Sequence, residues 1–237
     1  MRIERDITKC YIGGMVKSLS ISKTIVSLAD LHARLGLWRS DDRNFFTEWS
    51  EGLSDLSESQ QQALDWMKRC FDRHRDQGLL TEGTINLLLV EPLLKLAGFY
   101  DEPFWVKAER SVEILLPQDE AEDEVLRGRI DALVIQDQFW VLVVESKRTL
   151  SFAAAIPQAL TYMVATPDRS KPIFSLVTDG DIFIFIKLDR SSGEYDLSDT
   201  FSLLFNQQNK LYGVLKGLNR MSENPLGLGH GHAPTVS

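Results

Sequence analysis

Two acids and a lysine near the middle of the chain, Asp131, Glu145 and Lys147, have the residue types and spacing to hold a metal ion. They lie in and just after two apolar runs, residues 130–135 and 139–144, which three polar residues separate. Short apolar runs rich in β-branched side chains and bounded by a turn are typical of buried strands. The segment therefore predicts a β-hairpin that carries all three side chains.

Strand periodicity decides which of these side chains meet. Residues two apart on a strand share a face, so Glu145 and Lys147 belong together. A three-residue loop would place Asp131 opposite Val143, one diagonal step from Glu145 and roughly 7–8 Å away. Two carboxylates can then converge on one Mg²⁺ or Mn²⁺ ion, because both ions prefer oxygen ligands. This predicts hydrolysis of a phosphodiester, although such charges at a strand end are also typical of a solvated rim.

A helix predicted over residues 81–97 offers a third acid. Its inward apolar stripe begins at Ile85, and Glu82 lies three residues earlier on the same stripe. Glu91 is nine residues further on, about 180° around the helix. Glu82 is therefore the acid that can face the site. The alternative, equally weighted, is that Glu82 only favours the helix N-terminal dipole.

A second helix, predicted over residues 156–165 with Pro157 in its first turn, follows the hairpin. Gln158 and Tyr162 are four residues apart and so lie on one of its faces. They are either polar groups beside the site or ordinary surface residues. A capping box at Ser57 predicts a helix over 58–75, and a further helix is predicted over 210–218. A strand is predicted over 111–116, and an Asp-Gly turn joins two more, 173–177 and 182–188, in a hairpin.

The net charge of −8 over 237 residues argues against an extended DNA-binding surface. Any basic face must be local, formed by Arg127, Arg129, Lys147, Arg148, Arg169 and Lys171. We therefore expect weak non-specific binding, or a partner that supplies further contacts to DNA.

The chain has no apolar run of the roughly 20 residues that a bilayer requires, and its start lacks the features of a signal peptide. Two cysteines, Cys10 and Cys70, fit neither a disulfide framework nor a zinc site. We expect a cytoplasmic protein without membrane contact. Val16 stands where a phosphate-binding loop needs a glycine before Lys17, so no ATP site is expected. Met15 is an alternative start.

The order of helix, three strands, helix and two strands, with these side chains on it, resembles the PD-(D/E)xK nuclease superfamily. More closely, it resembles the N-terminal nuclease domain of type I restriction enzyme R subunits and short stand-alone bacterial proteins similar to that domain. Four motifs carry the resemblance between residues 82 and 188. They are E-x₈-E-P-L-L-x-x-A-G-F from Glu82, RGRIDALVI around Asp131, VVESKR around Glu145, and PQALTY from Pro157.

The resemblance implies an α/β (α+β) fold with a restriction-endonuclease-like core and a mixed sheet. Residues 1–80 would form an N-terminal helical extension, residues 81–222 the nuclease domain, and residues 223–237 a disordered tail. The resemblance also implies a metal ion held by Asp131, Glu145 and the backbone carbonyl of Ser146.

The remaining roles implied are catalytic or positional. Lys147 would orient or deprotonate the attacking water, and Glu82 would assist through a water or a second metal. Gln158 and Tyr162 would position the substrate, and we expect Arg129 and Arg148 to do so too.

The function predicted is that of a Mg²⁺-dependent (or Mn²⁺-dependent) DNA endonuclease in a restriction or defence context. R subunits carry an ATP-driven motor after the nuclease, for which this chain has no room, so ATP dependence is not expected. Partners would be DNA and either other restriction-system subunits or a second copy of the chain. The alternatives are a catalytically silent or partner-dependent binding module of the same fold, and an unrelated α/β protein with a coincidental pattern.

Overall fold

The computed structural model describes residues 17–116, 124–136, 139–146, 152–204 and 208–223, with residues 139–146 and Phe152 described by their backbone. Lys147, Arg148, Met15 and the predicted tail from residue 224 onward lie outside the described residues.

The described residues form a mixed sheet in the strand order β1-β4-β5-β6-β7-β8-β2, with β3 paired to β4 and β9 paired to β7. The strands β3, β4 and β5 are antiparallel neighbours, and β6 runs parallel to β5. This confirms the predicted α/β class with a three-stranded meander in a mixed sheet. The strands are β1 (Lys17–Ser20), β2 (Trp38–Arg39), β3 (Phe104–Leu116), β4 (Glu124–Gln136), β5 (Phe139–Ser146), β6 (Ile173–Thr178), β7 (Ile182–Asp189), β8 (Glu194–Leu197) and β9 (Phe201–Ser202).

Helices cover both faces of the sheet. They are α1 (Ile21–Thr24), α2 (Leu28–Leu35), α3 (Glu58–Asp76), α4 (Glu82–Ile85), α5 (Glu91–Leu96), α6 (Phe152–Val164) and α7 (Leu211–Glu223). The first core, which we call the α3 face, includes Phe71, Leu93 and Leu215. The second core, the α6 face, includes Ile21 and Leu160. No helix in the described ranges is long and apolar enough to cross a membrane.

The region predicted as an N-terminal helical extension contains α1, α2 and α3, but also two short strands that join the sheet. β1 runs parallel to the start of β4, and β2 runs parallel to β8. The capping box of α3 is confirmed: Ser57 Oγ accepts from Gln60 N at 3.3 Å, and Ser57 N donates to Gln60 Oε1 at 3.0 Å. Residues before position 81 therefore pack into the same cores as those after it.

The helix predicted over 81–97 runs from Glu82 to Leu96, but a π-helical turn, Asn86–Val90, separates α4 from α5. Pro92 explains the wider turn, because proline lacks an N–H and its ring clashes with the carbonyl four residues earlier. The helix expands rather than ends. Such π turns are frequent at functional sites.

The long ribbon of β3 and β4 changes the face that its side chains cover. Leu126 and Ile130 contact the α6 face, and so does Leu133, three residues further on. The alternation of the strand therefore reverses near Asp131. On β3 the residue between those paired with Ala132 and Ile130 is Glu109, whose φ of 53° is rare for a residue other than glycine. Its left-handed conformation accounts for the reversal.

The predicted register of the hairpin was wrong. Gln136 pairs with Phe139, so the loop has two residues, and a β-bulge lies between the pairs Ile135–Trp140 and Val134–Leu142. The shorter loop and the extra residue move β5 by two positions relative to β4, so that Leu133, not Asp131, pairs with Val143. The last pair in this direction is Ala132–Val144, so Asp131 and Glu145 each lie one residue beyond it.

The helix predicted over 156–165 begins earlier, at Phe152, so Pro157 lies inside α6 and not in its first turn. Proline at this position destabilises the helix only slightly. The first four N–H groups of a helix have no intrahelical partner, so proline at the sixth position removes only one hydrogen bond of the first turns. β3 is also longer than its predicted 111–116.

Candidate functional site

A gap in the sheet creates the site. β1 pairs with β4 as far as Arg127, and β5 pairs with β4 only from Ala132 onward. Between them, within the described residues, no strand pairs with this edge of β4, and a cavity of about 550 Å³ lies there. Its lining comes from β1, α1, α4, β4 and α6: Ser20, Ser22, Glu82, Arg127, Gly128, Arg129, Asp131, Gln158 and Tyr162. We call it the acid cavity.

Two of the predicted acids, Glu82 and Asp131, line the acid cavity, whereas Glu91 does not. Thr81 begins α4 by accepting from Thr84 N at 3.1 Å, so Glu82 is the first residue of the helix. Asp131 is half-buried on β4, where the ribbon changes face. Helix capping on one side and the reversed strand on the other bring these carboxylates to one space.

Gln158 and Tyr162 lie at the floor of the acid cavity. Their exposures are 1% and 4%, so the interpretation as ordinary surface residues was wrong. Gln158 Oε1 is buried, and no protein group in the described part of the chain donates to it. A buried acceptor without a donor costs about 1–3 kcal/mol, so such atoms are rare unless a ligand or water satisfies them. This oxygen therefore suits a ligand that donates a hydrogen bond.

Gly128 was missed by the sequence analysis and decides the position of Tyr162. A Cβ at Gly128 would lie 2.5 Å from Tyr162 Cε1 and 2.9 Å from Ile21 Cδ1. Real Cβ atoms do not approach other atoms this closely, so only glycine allows the ring to sit against β4. The available signal was a glycine inside a strand pattern, which often marks a close approach.

Arginines form the outer wall of the acid cavity. Arg129 pairs with Glu109 at 3.6 Å, and Arg127 pairs with Glu113 at 2.9 Å. All four side chains are more than half exposed, with values of 57% to 69%. Exposed pairs contribute roughly 0–1 kcal/mol, so both guanidinium groups can exchange these acids for a phosphate at little cost. Arg148, the other predicted positioning residue, lies outside the described residues.

The oxygen-rich lining of the acid cavity fits Mg²⁺ or Mn²⁺, which prefer carboxylate and carbonyl ligands. Two carboxylates and the unsatisfied amide oxygen of Gln158 are present. Within the described ranges, no group of three or more histidine, cysteine or acidic side chains is arranged to hold a metal. Glu145 directly follows Val144, which pairs with Ala132, and Ser146 pairs with Thr178 of β6.

No protein-family profile matches this chain, and no curated protein matches it either. Among solved structures, a fragment assigned to an HsdR subunit of a type I restriction enzyme from Vibrio vulnificus YJ016 is similar to it. The similarity covers 52% of this chain and 24% of that one, with 21% sequence identity and a TM-score of 0.36. This chain thus spans about a quarter of the length of that structure. A likeness of this degree carries no argument about function, which depends on the residues of the cavity.

A larger cavity of about 710 Å³ lies on the α3 face, between α3, β9 and α7. Its Asp65 accepts from Asn209 Nδ2 at 3.0 Å, and its aromatic wall includes Trp49 packed edge-on against Phe201. None of the predicted site residues lines it. The larger cavity therefore offers no group of the predicted site residues, whereas the acid cavity contains five of them.

Proposed function

We propose that the chain is a metal-dependent endonuclease that hydrolyses phosphodiester bonds of DNA, in a restriction or defence context. One observation carries the proposal. The acid cavity brings together Glu82, Asp131, Gln158 and Tyr162, which come from three elements far apart in sequence. Their order along the chain, which resembles that of the PD-(D/E)xK nucleases, supports the same function.

In the proposed site, Asp131, Glu145 and the backbone carbonyl of Ser146 would hold Mg²⁺ or Mn²⁺. When bound, this ion would polarise a phosphoryl oxygen and make a nearby water more acidic. Lys147 would orient the attacking water and offset the negative charge that grows on the phosphate. Glu82 would accept a hydrogen bond from a water, and this would place an oxygen lone pair towards phosphorus.

The remaining residues of the acid cavity would hold the substrate. Gln158 Oε1 would accept a hydrogen bond from a water at the cavity floor, and this would satisfy its lone pair. The Tyr162 hydroxyl can donate a hydrogen bond to a phosphate oxygen. Arg129 and Arg148 would bind the neighbouring phosphates. DNA would be the substrate, and other restriction subunits or a second copy of this chain would be the protein partners.

A binding module without catalysis is the second candidate. The net charge of −8 favours it, because repulsion between an acidic protein and the phosphates would weaken unaided binding to DNA. Such a module would need a partner to bring it to nucleic acid.

Cleavage assays on supercoiled, linear and single-stranded DNA with Mg²⁺ or Mn²⁺ test the proposal. We expect Asp131→Asn to lower the rate on the order of 10³-fold or more, because charge stabilisation of this kind is worth several kcal/mol. Glu82→Gln should lower it on the order of tenfold to a hundredfold. Glu91→Gln is the matched control, since it changes the same group on the same helical segment outside the cavity.

Mn²⁺ titration by calorimetry separates the two candidates. Weaker Mn²⁺ binding in Asp131→Asn, together with loss of cleavage, agrees with the nuclease. Mn²⁺ binding without cleavage of any DNA favours the partner-dependent module. Equal cleavage by the wild type, Asp131→Asn and Glu82→Gln would mean that the activity comes from a contaminant, and the proposed site would be wrong.

A further inference from the structure

A second cavity on the α6 face is lined by arginines instead of acids. It has a volume of about 630 Å³ and lies between the end of α2, the end of β3, the end of α6 and the turn after β7. Arg34, Arg169 and Arg190 line it, together with the hydroxyl-bearing residues Thr166, Ser191 and Ser192. We call it the arginine cavity. None of its lining belongs to the proposed catalytic set.

The acids next to Arg169 and Arg190 along the chain, Asp168 and Asp189, accept hydrogen bonds from serines. Asp168 accepts from Ser170 Oγ at 2.7 Å and from Ser170 N at 2.8 Å. Asp189 accepts from Ser191 Oγ at 2.6 Å and from Ser191 N at 2.7 Å.

The two glutamates at the end of the β3–β4 ribbon form ion pairs with other arginines. Glu113 is paired with Arg127, and Glu124 is paired with Arg34 at 3.0 Å. Within the described residues, Arg169 and Arg190 therefore form no ion pair with an acid.

Arg190 is held in place by the protein. Its Nη1 donates to the carbonyl of Thr166 at 2.7 Å, which uses one of its five N–H donors. Its side chain is half-buried, and burial followed by repulsion from Arg169 lowers the pKa of Arg190. Two guanidinium groups that repel each other at a cavity are stabilised when an anion binds between them.

The arginine cavity adjoins the acid cavity. Glu113 lines the former and Arg127 lines the latter, and the two are joined by their 2.9 Å ion pair on a rung of the β3–β4 ribbon. Helix α6 contributes Tyr162 to the acid cavity and Val164, less than one turn later, to the arginine cavity. The two cavities therefore lie side by side along one path on the α6 face.

We propose that Arg169 and Arg190 form a phosphate-binding site that holds the backbone of a nucleic acid strand beside the acid cavity. This inference rests on the proposed function, because it assigns the strand whose phosphodiester the acid cavity would cleave. The ligand is a phosphate group with two oxygens that can accept hydrogen bonds. A planar guanidinium binds such a group through two parallel hydrogen bonds.

Fluorescence anisotropy of a short labelled DNA duplex, with the full chain in EDTA and over a series of salt concentrations, tests the site without catalysis. Arg169→Gln should weaken binding about tenfold and lower the slope of log affinity against log salt by about 0.9, the value for one lost phosphate contact. Arg190→Lys keeps the charge and a donor for Thr166, so it should keep the slope and lose affinity. Arg73→Gln, an exposed arginine on α3, is the matched control and should change neither quantity.

Thermal melting of the same proteins with sodium phosphate or with chloride at equal ionic strength identifies the source of the phosphate. Stabilisation by phosphate that Arg169→Gln removes, together with the lower salt slope, supports a site for backbone phosphate. Loss of that stabilisation with an unchanged DNA slope would overturn the proposal in favour of a site for free phosphate. An unchanged slope and melting temperature in Arg169→Gln would overturn it altogether, even with DNA cleavage intact. A lowered slope without any cleavage would support this site and contradict the nuclease.

Discussion

The two faces of the sheet use their charged side chains differently. On the α3 face, Lys187 donates to Glu48 at 2.6 Å and to the carbonyl of Phe45 at 2.7 Å. Arg75 pairs on the same face with Asp72 and with Asp181, at 2.9 Å and 3.0 Å. On the α6 face, the buried Gln158 Oε1 lacks a donor in the described residues. Lys187 and Arg75 thus link elements on the α3 face, whereas Glu82, Asp131 and Arg190 line cavities on the α6 face.

The fold gives up stability on the α6 face. A buried ion pair that links two elements offsets much of the cost of removing its charges from water. Three features of the α6 face each cost free energy of folding that no contact among the described residues restores. They are the unsatisfied oxygen of Gln158, the left-handed backbone of Glu109, and the repulsion between Arg169 and Arg190. Strain and unmet hydrogen bonds of this kind gather at sites that bind ligands. Substitutions on each face test this contrast, because those on the α3 face should change stability alone and those on the α6 face should also change cleavage.

Among the substitutions that test this contrast between the faces, filling the close contact at Gly128 should have the largest effect. Gly128→Ala would drive its Cβ into the ring of Tyr162, where the present geometry leaves 2.5 Å. Overpacking of this kind costs about 1–3 kcal/mol of unfolding free energy. Displacement of Tyr162 should also lower cleavage about a hundredfold, since misplacement by about 1 Å has this effect. Urea unfolding and cleavage rates measure both.

Gly83→Ala provides the comparison for that substitution. Its added Cβ would have only Thr81 Oγ1 nearby, at an ordinary 3.8 Å, and alanine favours a helix over glycine. Stability should rise and cleavage should stay at the wild-type rate. Equal losses of cleavage in Gly128→Ala and Gly83→Ala would show that the contact with Tyr162 does not shape the site.

Breaking the ion pair of Lys187 should cost stability alone. Lys187→Met keeps the stem of the side chain but leaves Glu48 without its partner. We expect a loss of about 2 kcal/mol, because the two side chains are only 15% and 22% exposed. Lys17→Met removes a pair whose lysine is 61% exposed and should cost less than about 0.5 kcal/mol. Lower cleavage per folded molecule in Lys187→Met would contradict a purely structural role for the α3 face.

Replacing Gln158 should have the opposite consequence for stability. Gln158→Met keeps the length of the side chain and removes the unsatisfied oxygen, so unfolding free energy should rise by about 1 kcal/mol. Cleavage should fall about tenfold, as for other residues that orient a ligand. Loss of both stability and cleavage would mean that the amide is a structural hydrogen-bonding group.

Most elements of the fold could be predicted from local patterns. The capping box at Ser57 marked the start of α3, and Asp179-Gly180 marked the turn between β6 and β7. Glu82, Asp131, Gln158 and Tyr162 were placed on the correct elements, and the structure brings them to one cavity, while their roles stay predictions.

The rest depended on features that no local pattern shows. The shorter loop and the bulge in β5 together moved β5 by two positions relative to the predicted register with β4. The left-handed Glu109 reversed the faces of the ribbon, and parallel pairing brought β1 beside β4 from more than 100 residues away. Arg190 was missed because nothing near it in sequence suggests a ligand. Such contacts are set by tertiary packing, which overrides local propensity.

Asp179 is a charged residue of the α3 face whose hydrogen bonds do not offset its burial. Its substitution should have the smallest effect on stability. Its Oδ1 accepts from the backbone N–H of Ile182 at 2.8 Å and of Asp181 at 3.0 Å. Burial outweighs these hydrogen bonds and raises the pKa of Asp179 above its ordinary value of 3.8. The folded chain therefore keeps this proton at pH values where the unfolded chain has lost it, and stability falls as pH rises from about 3.8 through the folded pKa.

Asp179→Asn keeps an oxygen that both N–H groups can reach and removes the charge. We expect a gain in unfolding free energy at neutral pH that is smaller than that of Gln158→Met, and no gain below pH about 3.8, where the wild-type carboxyl is protonated in both states. Urea unfolding at several pH values measures the difference between the two proteins. A gain that is the same at every pH would assign the effect to the turn geometry, because only the buried charge makes stability depend on pH in this window.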